Sequence, residues 1–249
     1  MKYFSPLIMQ YPSISLIIPC YNESLRIDLL VAGLKAFTDV WTADYELIIV
    51  DDGSTDDTYI VLQANPYFVE MLAQKKMTLL RQENTGKGGA LKRGVANASK
   101  DFILTLDADM ATSPLELLHW LSMRKTFSER EILIASRELK NSKVADSFKR
   151  KFVGNVFNFI IQKTVKLAIS DTQCGFKLYP AKVAKSLFKA LVTLGWAHDV
   201  ELLLRAHQEG LAIVEMPVTW NAIEGSKIDV LRDSWKMFWE VMKMRKFKK

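Results

Sequence analysis

Two pairs of carboxylates stand where short apolar runs end. Asp51-Asp52 closes Glu46-Leu-Ile-Ile-Val and opens Gly53-Ser-Thr-Asp56-Asp57; Asp107-Ala108-Asp109 closes Asp101-Phe-Ile-Leu-Thr-Leu. Runs of this composition read as buried parallel strands that open into functional loops. Ligands of open α/β sheets bind outside the carboxyl ends of the strands, so both acid clusters are expected to face one crevice. Two carboxylates two residues apart suit a hard divalent cation, Mg2+ or Mn2+, and the phosphate oxygens it would bridge. The expected ligand is therefore a nucleoside diphosphate group.

The elements that position these acids follow a regular rhythm. A strand over 14–19 ends at Pro19 and Cys20-Tyr21-Asn22-Glu23, and a helix over 23–37 follows with Leu25, Leu29, Leu30 and Leu34 as its apolar face. Further strands are predicted at 45–50, 77–81 and 102–106, with helices from about 56 and from the loop at 84–90. Alternation of this kind builds a mostly parallel central sheet flanked by helices. Beyond it the pattern predicts strands at 131–136, 175–180 and 211–217, a long helix over 144–169 and a helix over 199–208. No repeat or linker interrupts the chain, so residues 1–229 are read as a single domain and 230–249 as a basic amphipathic helix or tail.

Composition narrows the functions. With 49% hydrophobic and 25% charged residues in 249, the chain has the make-up of a soluble globular protein with an ample core. Its two cysteines, Cys20 and Cys174, form no Cys-x-x-Cys pair, which argues against a zinc site or disulfide framework and fits a reducing compartment. His119, His198 and His207 lack metal-ligand spacing. Gly86-Lys87-Gly88-Gly89 is not a P-loop, because the Gly-x4-Gly-Lys-Ser/Thr spacing is absent and Ala90 follows. Glycine amides at a helix start nevertheless favour phosphate. Of the formal charge of +6, residues 230–249 carry +5, from seven Lys/Arg and two Asp/Glu. The basic balance belongs to the tail, and without interleaved aromatics on an RNA-binding motif it points to no nucleic acid partner.

Seven segments resemble the family-2 glycosyltransferases of the GT-A fold. They are Ile17-Ile-Pro-Cys-Tyr-Asn-Glu23, Val50-Asp-Asp-Gly-Ser-Thr-Asp56, Asn84-Thr-Gly-Lys-Gly-Gly-Ala90, Leu106-Asp-Ala-Asp109, Asp171-Thr-Gln-Cys-Gly-Phe-Lys177, Trp196-Ala-His-Asp-Val-Glu201-Leu-Leu and Glu215-Met-Pro-Val-Thr-Trp220. The fifth and sixth are narrower and look most like dolichyl-phosphate β-glucosyltransferases, with the mannosyltransferases next. The resemblance implies a nucleotide-sugar donor, UDP-glucose or GDP-mannose, a polyprenyl phosphate acceptor, and inversion at the anomeric carbon. It places Pro19, Tyr21, Glu23 and Asp52 around the base and ribose, with Lys87, Asp107 and Ala108 completing the donor set and Asp107 and Asp109 holding the metal. A glycan acceptor, or a binding module without turnover, are the alternatives.

Asp109, Asp171 and Asp199 are the candidate catalytic carboxylates. Asp199 would act as a base for an alcohol acceptor, or only position substrate when the acceptor is an already ionised phosphate. Arg137, Arg150 and Lys177 are candidate contacts for that phosphate, because cations are required where two anions meet. Asp51 and Asp52 would instead serve as caps if the following helix begins beside them. Two stretches suit an anionic membrane surface. Phe148, Phe152, Val156, Phe159 and Ile160 recur at helical spacing among basic residues, and Leu231, Trp235, Phe238, Trp239 and Met242 precede Lys243, Arg245, Lys246, Lys248 and Lys249. No run approaches the roughly 18–20 apolar residues that span a bilayer. The expected location is cytoplasmic, peripheral on the cytoplasmic face of a membrane.

Overall fold

A computed structural model describes residues 11–124, 127–145, 167–222, 239–242 and 244. Its strands are β1 (Ile14–Cys20), β2 (Tyr45–Asp51), β3 (Met77–Arg81), β4 (Phe102–Thr105), β5 (Glu131–Ala135), β6 (Lys143–Ala145), β7 (Lys177–Pro180), β8 (Ala212–Met216) and β9 (Thr219–Asn221). A 3-10 turn at Ser24–Arg26 precedes α1 (Ile27–Thr38); then come α2 (Thr58–Ala64), α3 (Pro66–Ala73), α4 (Lys87–Asn97), α5 (Glu116–Met123), α6 (Ala181–Ala190) and α7 (His198–Gln208). Seven strands form the central sheet in the order β3-β2-β1-β4-β7-β5-β8, and β6 pairs with β9 apart from it. Strands β1 to β4 run parallel, while β7 enters antiparallel to both β4 and β5.

Both faces of the sheet are covered, which is why β1 and β2 read as unbroken apolar runs. Leu16 and Ile18 pack on one face with Leu30, Leu34 and Phe37 of α1 and Trp120 of α5. Ile17, Ile48 and Val50 pack on the other with Ala90, Leu91 and Val95 of α4 and with Phe188 and Leu203 of α6 and α7. Alternate residues of β1 thus enter opposite cores, as the two-residue period of a strand requires.

Several sequence expectations are corrected at their edges. The helix expected from 23 begins at Ile27, and its buried face is Ile27, Leu30, Leu34 and Phe37, whereas Leu25 is 99% exposed. Val144 and Ala145 do not start a long helix, because they pair with Trp220 and Asn221 in the small ribbon. Leu167–Ile169 are likewise not helical, and 146–166 lie outside the described residues. Neither Asp51 nor Asp52 caps α2; the Asp56 carboxylate, nearer the helix, accepts the Thr58 amide at 3.0 Å. Of the C-terminal stretch, Trp239–Met242 and Met244 are helical, and Val241 and Met244 are fully buried in the second core.

Where β7 meets α7 the fold buries charge. Lys177 is 1% exposed and its ammonium lies 2.7 Å from Asp199 Oδ1, with the Cys174 carbonyl as a second acceptor. His198 is equally buried. Its Nδ1 is 2.8 Å from the Gly195 carbonyl, which only accepts, so Nδ1 carries a proton, and its Nε2 lies 3.4 Å from Asp199 Oδ2. Burial pushes the His198 pKa below its ordinary value and outweighs the pull of Asp199. The sign follows from linkage: the unfolded chain takes up a proton near pH 6.5 that the folded chain refuses until lower pH, so stability falls as pH drops below about 6.5. The thermal midpoint is therefore expected to fall between pH 7.5 and 5, and His198→Gln, which cannot titrate, should fall less. Equal falls in wild type and variant, measured by circular dichroism melts, would assign the loss to another group.

Candidate active site

The chain reverses its direction across the sheet between β1 and β4. From β1 it passes outward to β2 and β3, then returns to place β4 on the other side of β1. A crevice at such a switch point is where open α/β sheets bind ligands. Here it is a cleft of about 420 Å³ lined by Pro19, Cys20, Tyr21, Glu23, Arg26, Asp52, Asn84, Gly86, Lys87, Asp107, Ala108, Asp109 and Trp196. All seven expected donor residues, Pro19, Tyr21, Glu23, Asp52, Lys87, Asp107 and Ala108, and the catalytic candidate Asp109 lie in this lining.

The wall from β1 and β2 is a set of interlocked loops. The Asn22 carbonyl Oδ1 accepts the amides of Thr55 and Asp56 at 2.8 and 3.2 Å, and the Glu23 amide donates to Thr58 Oγ1. Glu23 is gripped by Arg26, with Nε–Oε2 at 2.6 Å and Nη2–Oε1 at 2.9 Å. Asp51 is buried at the end of β2, with Arg81 Nε at 3.2 Å. Asp52 has a different task. Its Oδ1 accepts Gln82 Nε2 at 2.7 Å and the Thr85 amide at 3.0 Å, and its Oδ2 accepts the Gly86 amide at 2.8 Å. Asp52 thereby fastens the loop that delivers Lys87 to the cleft. Gly86 closes that loop at φ +93°, and a side chain there would meet the Leu194 carbonyl at 2.6 Å.

The opposite wall carries the paired acids. Lys87, the first residue of α4, forms an ion pair with Asp107 at 2.5 Å. Burial pulls the Lys87 pKa down, but the charges of Asp107 and Asp199 and a further contribution from Asp109 outweigh it, and the ammonium holds its proton more tightly than usual. Asp109 is shifted up, by burial first and by its repulsion from Asp107 second, against the opposing influence of Lys87 and Arg26. A carboxyl whose ionisation is opposed by burial and by a neighbouring acid invites a cation. The donor set fits a hard divalent ion of the Mg2+ class, which takes one or two carboxylates and completes its shell with substrate phosphate oxygens and water. Among the described residues no cluster of three or more His, Cys, Asp or Glu offers an alternative all-protein cage.

Gly175 explains why the segment 171–177 belongs to this site. Because β7 runs antiparallel to β4, its approach lies beside the carboxyl end of β4, with Thr105 opposite Lys177. The Thr105 hydroxyl donates to the Gly175 carbonyl at 2.9 Å, and a Cβ on Gly175 would sit 2.6 Å from both Asp107 oxygens. Only a glycine lets the backbone lie this close to the acid.

The remaining candidates are not among the lining residues. Asp171 is buried and accepts from the Arg137 amide, Nε and Nη2 at 3.0, 2.7 and 2.9 Å, so it orients Arg137. Burial alone would raise the Asp171 pKa, yet the Arg137 charge holds it below the ordinary carboxylate range. Arg137 remains partly exposed, with its guanidinium 5.5 Å from the Trp220 ring centroid. Lys177 and Asp199 neutralise one another in the interior, so neither the acceptor-phosphate contact expected of Lys177 nor the base expected of Asp199 is the arrangement found. The Asp199 pKa lies below its ordinary value because His198, Lys177 and Lys87 outweigh the effect of burial. Arg150 falls outside the described residues.

Arg26 is a lining residue outside every segment singled out in the sequence, whereas Trp196 opens the sixth of them. Arg26 had a legible signal, since it stands three residues after Glu23 at helical spacing. Trp196 is placed by the 191–197 loop, which no local pattern locates. The loop is held by Glu201, which accepts the Val192 and Thr193 amides at 3.0 and 2.7 Å, and by the Gly89 amide, which donates to the Leu194 carbonyl at 3.2 Å. Lys87 Nζ lies 5.6 Å from the centroid of the Trp196 ring, within cation–π range.

The model of the Glycosyl transferase family 2 matches residues 15–188. A dolichyl-phosphate beta-glucosyltransferase of Drosophila melanogaster is 36% identical over 237 residues, 90% of this chain and 72% of its own. Its counterpart in Dictyostelium discoideum is 32% identical over 245 residues, 93% of this chain and 73% of its own. Among solved structures, glucosyl-3-phosphoglycerate synthase from Mycobacterium tuberculosis in complex with Mn2+, UDP-glucose and phosphoglyceric acid superposes with a TM-score of 0.69, covering 94% of this chain and 79% of that chain. At 19% identity that likeness bears on the fold, which is GT-A. The acid pair at the switch point, the sheet that carries it and the family match over most of the chain lead to one assignment: this chain belongs to the family-2 glycosyltransferases.

Proposed function

We propose that this transferase moves glucose from UDP-glucose to a polyprenyl phosphate, inverting the anomeric centre to give a β-linked lipid-phosphate sugar. The single observation that carries the reading is the cleft at the β1–β4 switch point, where Lys87, Asp107 and Asp109 converge beneath the Asp52-held loop. The shared name of the relatives supports the donor sugar and the acceptor class. A bound Mg2+ or Mn2+, held by Asp107 and Asp109, would supply Lewis-acid neutralisation of the departing diphosphate.

In this reading the chain's own residues bind and aim. Tyr21 packs on the base, the Asp52-fastened loop frames the ribose and diphosphate, and the Lys87 ammonium meets phosphate charge. An oxygen of the acceptor phosphate attacks the anomeric carbon, the bond from that carbon to the donor's β-phosphate oxygen breaks, and UDP leaves with the electron pair. The acceptor is ionised near neutral pH, so no side chain need remove a proton. That need is absent where it would be hardest to meet: Asp199 is spent on Lys177 in the interior. Arg137, held in orientation by Asp171 and backed by Trp220, is the proposed contact for the acceptor phosphate.

We further propose peripheral attachment to an anionic leaflet through the basic C-terminal residues. Trp239 is 51% exposed beside the docked Val241, consistent with an aromatic at the headgroup level. Among the described residues no helix is long and apolar enough to cross a membrane.

Transfer from radiolabelled UDP- and GDP-sugars into polyprenyl phosphate in liposomes tests the chemistry. Label is expected from UDP-glucose in the presence of Mg2+ or Mn2+, and none after chelation. Asp109→Ala should lose more than the roughly 10–100-fold that follows loss of a ligand's outer hydrogen-bond partner. Label from GDP-mannose instead would move the chain to the mannosyl branch, and no lipid label with any donor would sink the acceptor assignment. For the membrane, replacing Arg245, Lys246, Lys248 and Lys249 with Glu leaves the buried Val241 and Met244 in place. At about 1 kcal/mol per basic residue, cosedimentation with phosphatidylserine vesicles should drop at least tenfold; unchanged binding would refute tail attachment.

A further inference from the structure

The C-terminal helical segment reaches the donor cleft through one carboxylate. Val241 and Met244 are buried in the second core, which fixes the segment against the domain. Glu240, between them and the exposed Trp239, turns toward the 191–197 loop. Its Oε2 accepts the Ala197 amide at 3.3 Å, and its Oε1 lies where a Cβ on Gly195 would approach to 2.8 Å. Those two residues flank Trp196, which lines the cleft and stands over Lys87.

The loop has no regular secondary structure between Leu191 and Ala197, so its position is set by what grips it. Glu201 holds Val192 and Thr193, and α4 holds Leu194 through Gly89. The stretch that carries Trp196 is held by His198, whose amide and Nδ1 donate to the Gly195 carbonyl, and by Glu240. His198 is on α7 and close in sequence, whereas Glu240 is the tie from a distant element. Of the three hydrogen bonds just named on this stretch, the Glu240 bond alone comes from outside α7, and a loop with fewer ties opens locally at less cost.

We propose that Glu240 is a positioning residue for the donor cleft: by accepting the Ala197 amide and packing against Gly195 it sets the Trp196 ring against Lys87, and so couples the docked C-terminal segment to nucleoside diphosphate binding. The inference rests on the cleft being the donor site. It makes the basic tail and the cleft two sites linked by one loop. Linkage is reciprocal, so what orders the segment favours the nucleotide and the nucleotide favours the ordered segment.

The test is UDP binding to the full chain in the presence of Mn2+, by calorimetry at a temperature well below the thermal midpoint. Wild type, Glu240→Ala, Glu240→Gln, Trp196→Ala and the double variant Glu240→Ala/Trp196→Ala are compared. Glu240→Ala is expected to weaken UDP binding roughly fivefold, at the lower end of common coupling factors. Glu240→Gln keeps an acceptor oxygen for the Ala197 amide and should restore most of that loss. On the Trp196→Ala background the Glu240→Ala effect should vanish, since the cycle isolates what passes through the ring. Wild-type affinity in Glu240→Ala, no rescue by Gln, or an undiminished Glu240→Ala effect without Trp196 would each overturn the proposal. If wild type itself fails to bind any nucleoside diphosphate, the donor-cleft reading fails and takes this inference with it.

Discussion

Asp107 and Asp109 sit two residues apart in a half-dry cleft, where burial and the repulsion of Asp107 make Asp109 harder to ionise. That repulsion is the constraint around which the rest of the site is arranged. Lys87 answers it from α4 and Arg26 from the turn after β1. For Lys87 to arrive, the chain must turn sharply at Gly86, and for Gly86 to hold its turn, Asp52 must accept its amide. The second acid of the β2 cluster therefore serves the acid pair of β4 at one remove, by keeping a cation within reach. Without that cation Asp109 would be pushed further toward its protonated form, and a protonated carboxyl is a poor ligand for a hard metal.

The reversal of β7 supplies the other half of the arrangement. A parallel strand beside β4 would bring its end to the crevice; the antiparallel strand brings its beginning, and with it the glycine that lies against Asp107. The same strand starts with Lys177, whose charge would be costly to bury alone. Asp199 accompanies it from α7, and breaking such a pair by removing one partner typically costs about 3–5 kcal/mol. The pair thus fastens α7 to β7 and, through His198 and Gly195, steadies the loop that bears Trp196.

Much of this was legible in the sequence, for a physical reason. Strands buried on both faces must be continuously apolar, and a carboxylate that ends such a run can be sheltered only by a partner or a ligand. Strands β1 to β4 and the lining acids were therefore readable one segment at a time. What escaped reading depends on pairing between distant segments. Asp171 looks like a catalytic acid until Arg137 is seen to occupy both its oxygens. Lys177 looks like a phosphate contact until Asp199 is found beside it. Val144 looks like the start of a helix until Trp220 pairs with it across the ribbon. The Leu25 error is of another kind: a 3-10 turn shifts the phase of the following helix, so a 3.6-residue pattern begun too early selects the wrong face.

Sorting the acids by their partners leaves an electrostatic site. Glu23 grips Arg26, Asp52 holds a loop, Asp171 aims Arg137 and Asp199 neutralises Lys177. Asp107 and Asp109 remain in the cleft, Asp107 paired with Lys87 and Asp109 shifted up by burial and by the Asp107 charge. Under the proposed function none of the six is required as a base, since the acceptor phosphate is already ionised. A site of this composition accelerates transfer by holding two anionic reactants in line and by neutralising the charge that develops on the leaving group. It suits an acceptor that arrives with its nucleophile already ionised, and an alcohol acceptor would have to find a base that these carboxylates, committed elsewhere, do not provide.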